Sequence, residues 1–153
     1  MALTPGFQSA RDLLEKLNRD RDLLDSEVTS DRFFNFVVTA YSLCDWVKND
    51  PAVPANAKTA LATFRQSVEL QVCRDLANSL KHYKLNGPSQ QGAITSGTDV
   101  GQGWGMGRWG YGGWGVGEQQ ITIDLNDGTT FNALQFAATV LQQWQGFFAV
   151  NQL

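Results

Sequence analysis

The stretch SDRFFNFVVTAYSLCDWVKND, from Ser30 to Asp50, decides the fold of this 153-residue chain. Its apolar side chains would cover most of the circumference of a helix that ends before Pro51. A surface helix keeps one polar face, so a helix that is apolar nearly all round belongs in the middle of a bundle. The sequence therefore predicts a central helix around which the rest of the chain packs.

Three further helices are predicted on either side of this central helix, from apolar residues that recur at steps of three and four. The first follows the cap-and-first-turn pair Thr4-Pro5, and another runs from about Asn56 to Lys84. The last helix runs from about Asn132 to Phe148. The core that the helices share is predicted to contain Phe33, Val37, Tyr41, Trp46, Leu61, Val68, Leu76, Leu80, Leu141 and Trp144.

Two short strands are predicted before the last helix. The first, Ile121 to Leu125, alternates apolar and polar residues with the period of a strand. The second, Thr129 to Phe131, follows the turn signal Asn-Asp-Gly. The predicted fold is an all-α bundle of about four helices, with a short β-hairpin inserted before the C-terminal helix. It forms a single helical domain over residues 1–153, with residues 89–117 as an inserted Gly/Trp-rich segment.

Charge and composition exclude several classes of function. The net charge is −3, so the chain lacks the basic surplus with which a general nucleic-acid binder neutralises phosphates. Cys44 and Cys73 lie far apart without a Cys/His neighbourhood, so the sequence predicts no metal and no cofactor. No secretory signal is visible at the start, and no apolar run approaches the roughly 18 residues of a membrane span. We therefore expect a cytoplasmic protein without a membrane partner.

A polar patch near the end of the predicted third helix is the first candidate site. Residues four apart share a helical face, so Arg74, Asn78 and His82 form the spine of the patch, with Asp75 beside them. His82 is the only histidine of the chain, and acid–base work near neutral pH would fall to it first. The alternative is that the patch is simply the solvated face of an amphipathic helix.

The central helix offers this patch a predicted neighbour, a narrow polar stripe between its apolar residues. Buried amides and hydroxyls need hydrogen-bond partners. We therefore predict that Asn35, Thr39 or Asp45 lies within hydrogen-bonding reach of Asn78 or His82. Asp45 would orient the imidazole if the two helices pack antiparallel.

The stretches DLANSLKHY, Asp75 to Tyr83, and FNFVVTAYSLCDW, Phe34 to Trp46, resemble a group of small uncharacterised bacterial proteins. More distantly, they resemble the HEPN superfamily. Members of that superfamily are helical bundles that often dimerise, and many are metal-independent ribonucleases of toxin–antitoxin and phage-defence systems. The resemblance implies a homodimer and, if the activity is shared, RNA as the substrate.

The catalytic motif of that superfamily is an Arg, commonly followed by Asn, with a His a few residues further on. Asn78 and His82 match the Asn-x-x-x-His part of it, whereas Ala77 stands where the superfamily has its Arg. Arg74 is the nearest upstream arginine and lies on the same helical face as His82. In a ribonuclease, His82 would orient or deprotonate a 2′-hydroxyl and Arg74 would steady the phosphate.

The segment GQGWGMGRWGYGGWGVG, Gly101 to Gly117, is the second candidate site. It carries Trp104, Trp109 and Trp114 at intervals of five. No GK[ST] follows the glycines, so they do not form a nucleotide loop. The indoles would either fold back over a groove between helices, bind a protein partner, or stack on a small ligand. With only Arg108 for charge, the affinity of this segment for nucleic acid would be weak.

These observations favour binding over catalysis. The sequence contains no nucleophile elbow, zinc signature or dinucleotide fingerprint, so it is not an evident enzyme. The leading hypothesis is an accessory bacterial protein that acts by binding or self-association. Its binding surfaces would be the three tryptophans and the polar positions Asp75, Asp45 and Asn35. The alternative hypothesis is a HEPN-like metal-independent endoribonuclease of a toxin or defence system, with His82, Arg74 and Asn78 as its catalytic residues.

Overall fold

The computed structural model describes residues 4–81 and 92–153 of the chain. Its elements follow one another in the order α1 (Ala10–Ser26), α2 (Ser30–Asn49), α3 (Ala55–Phe64), α4 (Val68–Lys81), β1 (Thr95–Gly101), β2 (Gln120–Leu125), β3 (Thr130–Asn132) and α5 (Ala133–Val150). The described residues therefore form a helix-rich fold with a small antiparallel sheet, so the description all-α holds only roughly.

Side-chain caps fix where the first two helices begin. The Ser9 hydroxyl accepts a hydrogen bond from the N–H of Asp12, whose carboxylate accepts from the N–H of Ser9 in return. This capping box satisfies two N–H groups that have no partner inside the helix. The helix therefore starts later than the Thr4-Pro5 pair predicted. The hydroxyl of Thr29 caps α2 in the same way, by accepting from the N–H of Arg32.

The central position predicted for α2 is confirmed by the core. Trp144 of α5 is fully buried, and its indole N–H donates to the carbonyl of Ala40 on α2 at 3.1 Å. Tyr41 and Trp46 are only partly buried against this core. The predicted core residues that are buried are Phe33, Val37, Leu61, Leu76, Leu141 and Trp144.

The predicted third helix is divided in two, because a turn at residues 65–67 separates α3 from α4. The N–H of Ser67 donates to the carbonyl of Phe64, and the Ser67 hydroxyl accepts from the N–H of Leu70. Serine in this position competes with helix continuation and caps the next helix instead. Val68, the first residue of α4, is 44% exposed, so its predicted place in the core is wrong. The side chain of Leu80 lies outside the described part.

The sheet has three strands in the order β1-β2-β3, one more than the predicted hairpin. In β2 the alternating residues Ile121, Ile123 and Leu125 are buried, as the period-two pattern predicts. The additional strand, β1, is antiparallel to β2 and pairs Val100 with Ile121. It carried no strand signal in the sequence, because most of its residues are exposed and two are glycines.

Candidate functional site

The α4 patch, here Arg74, Asp75 and Asn78, has a different geometry from that expected of a solvated face. Asp75 is buried, with 4% of its surface exposed. Its Oδ1 accepts hydrogen bonds from the Arg74 guanidinium, at 3.0 Å from Nε and 2.8 Å from Nη2. Its Oδ2 accepts from the N–H groups of Ile94 and Thr95, at 2.8 and 3.1 Å. Both oxygens of this carboxylate therefore have internal partners.

These contacts tie the start of β1 to α4. Arg74 also donates from Nη2 to the carbonyl of Gly92 at 3.0 Å, so the pair holds the entry to the strand from two sides. Asn78, one turn further along α4, is half-buried. His82 lies outside the described residues. The geometry thus gives Arg74 and Asp75 a positioning role within the fold.

The polar stripe of α2 does not meet this patch where the structure describes both. The Thr39 hydroxyl donates to Asp20 Oδ2 at 2.6 Å, and Lys16 Nζ lies 2.8 Å from the same hydroxyl. Lys16 and Asp20 are also paired with each other at 2.5 Å, so the buried hydroxyl is satisfied by α1. Asp45 is exposed and accepts from the side chain of Asn49. Asn35 is exposed as well. None of these three residues is therefore hydrogen-bonded to Asn78, because the partner helix of Thr39 is α1. The predicted contact with His82 lies outside the described residues.

The connection between β1 and β2, residues 102–119, is called the tryptophan loop below. It contains three consecutive five-residue repeats of the form x-Trp-Gly-Φ-Gly, where Φ is Met106, Tyr111 or Val116. The main-chain N–H of each Φ residue donates to the carbonyl three residues earlier, at 3.1 to 3.4 Å. Each repeat is therefore a β-turn with tryptophan as its second residue.

Glycine is required at two classes of position in this loop. The third residue of each turn has a φ between +80° and +84°, which a type II turn needs and which glycine adopts without strain. At the repeat ends, Gly107 and Gly112 lie against the backbone of Glu118. A Cβ added there would come within 2.5 Å of the Glu118 carbonyl oxygen or 2.6 Å of its N–H nitrogen. The turns are thus wound closely around Glu118.

Glu118 anchors the loop to the helices. Its side chain is 0% exposed, and Oε1 accepts from the N–H of Val28, in the connection between α1 and α2, at 2.8 Å. The guanidinium of Arg108 forms a fork on the same carboxylate, with Nη2 at 2.8 Å from Oε1 and Nε at 3.0 Å from Oε2. Arg108 also bonds the carbonyl of Asp25 and lies 3.3 Å from its carboxylate. The loop is consequently fixed to the C-terminal end of α1.

The charge state of this anchor follows from its contacts. Burial raises the pKa of Glu118, but the hydrogen bonds from Arg108 and from the N–H of Val28 outweigh it, so the pKa lies below the usual range. The hydrogen bond that Arg108 donates to Glu118 raises the pKa of Arg108 in turn. Both groups are therefore charged at neutral pH, and the charge of Arg108 is engaged inside the frame of the loop.

The apolar side chains of the loop face outward. Trp104 is 92% exposed, Trp109 is 91% exposed and Trp114 is fully exposed, so the indoles do not fold back over the helices. Together with the turn backbones they line a cleft of about 550 Å³. The chain has eleven large hydrophobic side chains that are exposed among the described residues, and seven of them lie between residues 100 and 116. The exposed apolar surface is therefore concentrated on this loop.

Sequence reasoning singled out the three tryptophans but missed the residues that hold them. Glu118 is the only acidic residue between Asp99 and Asp124, and it follows the last repeat directly. A lone carboxylate beside a glycine-rich repeat that contains a single arginine was the signal available. The complete five-residue period, rather than the spacing of the tryptophans alone, would have predicted three equivalent turns.

Other chemistry has little support among the described residues. No cluster of three or more His, Cys, Asp or Glu residues with metal-site geometry occurs in the part of the chain that the structure covers. Cys44 and Cys73 are free and buried. Burial raises the pKa of the Cys44 thiol to about 11 and that of Cys73 further, so both thiols are protonated at neutral pH. Within residues 4–81 and 92–153, no helix is long and apolar enough to cross a bilayer.

Comparisons of this chain with protein-family models, with curated proteins and with solved structures found no match. The resemblance to the HEPN superfamily therefore stays a prediction.

Proposed function

We propose that this is a non-enzymatic accessory protein that acts by binding, and that the tryptophan loop is its recognition surface. The observation that carries the proposal is the exposure of three indoles, each above 90%, on a frame of hydrogen-bonded turns anchored by a buried ion pair. Apolar surface of this kind is costly to leave in water unless something covers it. Because tryptophan is enriched at binding hot spots, the loop is the part of the molecule best suited to recognition.

The rigidity of the frame supports this function as well. A flexible loop would lose conformational entropy on binding, which weakens affinity. Here the three turns and the Arg108–Glu118 pair order the loop before any partner arrives. The main-chain positions that carry the three indoles are therefore ordered before binding.

The ribonuclease alternative lacks a comparable observation. Arg74 would have to steady a phosphate, yet its guanidinium is engaged with Asp75 and with the carbonyl of Gly92. A catalytic role would require Arg74 to leave a buried carboxylate without its counter-charge, which is unfavourable. A homodimer, which the sequence resemblance implied, stays a prediction for sedimentation to test.

Photo-crosslinking tests the proposed function. A photo-reactive phenylalanine analogue would replace Trp109, and in a matched control it would replace Val150, which is 83% exposed at the end of α5. In native cells we expect discrete adducts from position 109 and none of the same kind from position 150. The class of the adduct, whether lipid, a second copy of the chain or another protein, identifies the partner. Equal or absent adducts at the two positions would contradict recognition by the loop.

A further inference from the structure

The tryptophan loop carries chemistry that selects among the classes of partner. Between residues 103 and 117 the hydrogen-bonding side chains are the three indoles, Tyr111 and Arg108, with no Asp, Glu, Asn, Gln, Ser or Thr. The Arg108 guanidinium is engaged with Glu118 and stacks 3.8 Å above the ring of Tyr111. A sugar or a polar peptide would find few partners for its hydroxyl or amide groups, and leaving those groups unpaired weakens binding.

Electrostatics excludes strongly charged partners in the same way. The single cation of the loop is paired with Glu118, and exposed acidic residues lie on both sides of the loop: Asp25 beside Arg108, and Asp99 on β1. A phosphate backbone requires free lysine or arginine, so RNA and DNA do not fit this surface. Anionic lipid headgroups are disfavoured for the same reason. The class of partner that still fits this surface is uncharged overall, with an apolar interior and a polar boundary.

We propose that the tryptophan loop adsorbs to the interfacial region of zwitterionic lipid membranes, an inference that rests on the loop being the recognition surface. Tryptophan is enriched at membrane–water interfaces because the ring is apolar while its N–H needs a polar partner. Indoles on three separate turns are accommodated together by a fluid interface, whereas a folded partner would need three matching pockets. Met106 and Val116, about half exposed beside them, add apolar area to the same end of the molecule.

The backbone of the loop limits how deep it goes. Lipid-exposed irregular backbone is not tolerated in the hydrocarbon core, because its N–H and carbonyl groups would lack partners. The turns therefore stay among the headgroups while the indoles reach the acyl boundary. Such adsorption needs no spanning helix, and none occurs among the described residues. The proposal departs from the expectation, drawn from the sequence, that the protein has no membrane partner.

Co-sedimentation with phosphatidylcholine vesicles tests the proposal. The parent is expected to bind, and the variant Trp104→Ser/Trp109→Ser/Trp114→Ser is expected to bind at least about 100-fold more weakly, because three apolar side chains leave the interface. A matched control, Val68→Ser/Val150→Ser, removes exposed apolar side chains of α4 and α5 and should bind like the parent. Adding phosphatidylglycerol should not strengthen binding, and salt should not weaken it.

Each other outcome has a defined meaning. Absence of vesicle binding by the parent, together with concentration-dependent dimerisation that the triple variant loses, would overturn the lipid proposal and leave recognition by the loop standing. Equal vesicle binding by the parent and the triple variant would overturn the lipid proposal, because the indoles would not mediate the binding. Binding that needs phosphatidylglycerol and disappears in salt would overturn the inference of a zwitterionic surface.

Discussion

The α4 patch and the tryptophan loop are built on the same device, a buried carboxylate held by a partly exposed arginine. Asp75 with Arg74 fixes the start of β1, and Glu118 with Arg108 fixes the loop that follows it. The two sites differ in the side chains that stay exposed beside the ion pair. In the α4 patch the hydrogen bonds join parts of the fold, whereas in the loop they form a frame that leaves three indoles outside. The buried ion pair is therefore a structural anchor in both places. Only in the loop does an exposed apolar surface lie beside it, and that surface is the candidate site.

The largest effect on stability is expected when the buried carboxylate of Glu118 loses its counter-charge. Arg108→Ala leaves Glu118 buried without its ion-pair partner, which should lower the free energy of unfolding by about 3–5 kcal/mol. Urea unfolding measures the loss. Arg19→Ala, at an exposed position without an ion pair among the described residues, is the control and should change little. A loss for Arg108→Ala no larger than that of the control would show that the loop anchor is not structural.

Removal of the buried carboxylate in the α4 patch should have a somewhat smaller effect on stability. Asp75→Ala removes the acceptor of two main-chain N–H groups, but Arg74 is partly exposed and regains water. We expect a loss of about 2–3 kcal/mol in the free energy of unfolding, since hydrogen bonds to charged groups are stronger than neutral ones. Faster hydrogen exchange at Ile94 and Thr95 should accompany it. Asp75→Asn, which keeps one acceptor, should lose less; an equal loss would argue against the hydrogen-bond explanation.

Acid should weaken the loop anchor. The folded-state pKa of Glu118 lies below its ordinary value of 4.5, so its contribution to stability is complete above that pH. It is lost as the pH falls below 4.5 and through the folded-state pKa, because protonation removes the ion pair with Arg108. Unfolding measured on both sides of this window should show a steeper acid loss for the parent than for Glu118→Gln. Equal slopes would mean that Glu118 is not ionised in the folded protein.

The exposed indoles themselves should contribute almost nothing to stability. Replacing Trp104, Trp109 and Trp114 by Ser should change the free energy of unfolding by no more than about 0.5 kcal/mol at each site, as for other surface substitutions. A thermal melt of the triple variant checks this directly. A loss of several kcal/mol would mean that the indoles pack against the helices.

No effect is expected from the single histidine. A metal-free digest of single-stranded RNA should show no cleavage by the parent and none by His82→Ala. If the protein were a ribonuclease, removing general acid–base assistance would cost about 10²–10⁴-fold in rate. Cleavage by the parent that the variant loses would favour the ribonuclease alternative, while equal cleavage by both would indicate a contaminating nuclease.

The sequence predicted the helical core more fully than it predicted the candidate site. Periodic apolar residues place Phe33, Val37 and Trp144 inside because burial dominates the energetics of a helix face. The same pattern could not distinguish Asp75, which is buried, from its neighbours on the polar side of α4. That distinction depends on β1, whose N–H groups reach the carboxylate only in the folded chain. Long-range hydrogen bonds of this kind leave no local period in the sequence.

The loop was predictable in position but not in geometry. Interval-five tryptophans drew attention to the segment, yet the sequence left packing inward and projection outward equally open. The outward direction is set by the contact between Glu118 and Val28, two residues that are 90 positions apart. Only once that contact fixes the frame do the turns direct Trp104, Trp109 and Trp114 away from the helices.

Collisional quenching of tryptophan fluorescence by iodide tests most directly the central claim, that three indoles are held in solvent. In the parent we predict that most of the emission is quenched, because three of the five tryptophans are exposed. In Trp104→Phe/Trp109→Phe/Trp114→Phe, the emission that remains comes from half-buried Trp46 and buried Trp144 and should be largely protected. An equal quenchable fraction in the two proteins would contradict the account, since the loop indoles would then be shielded.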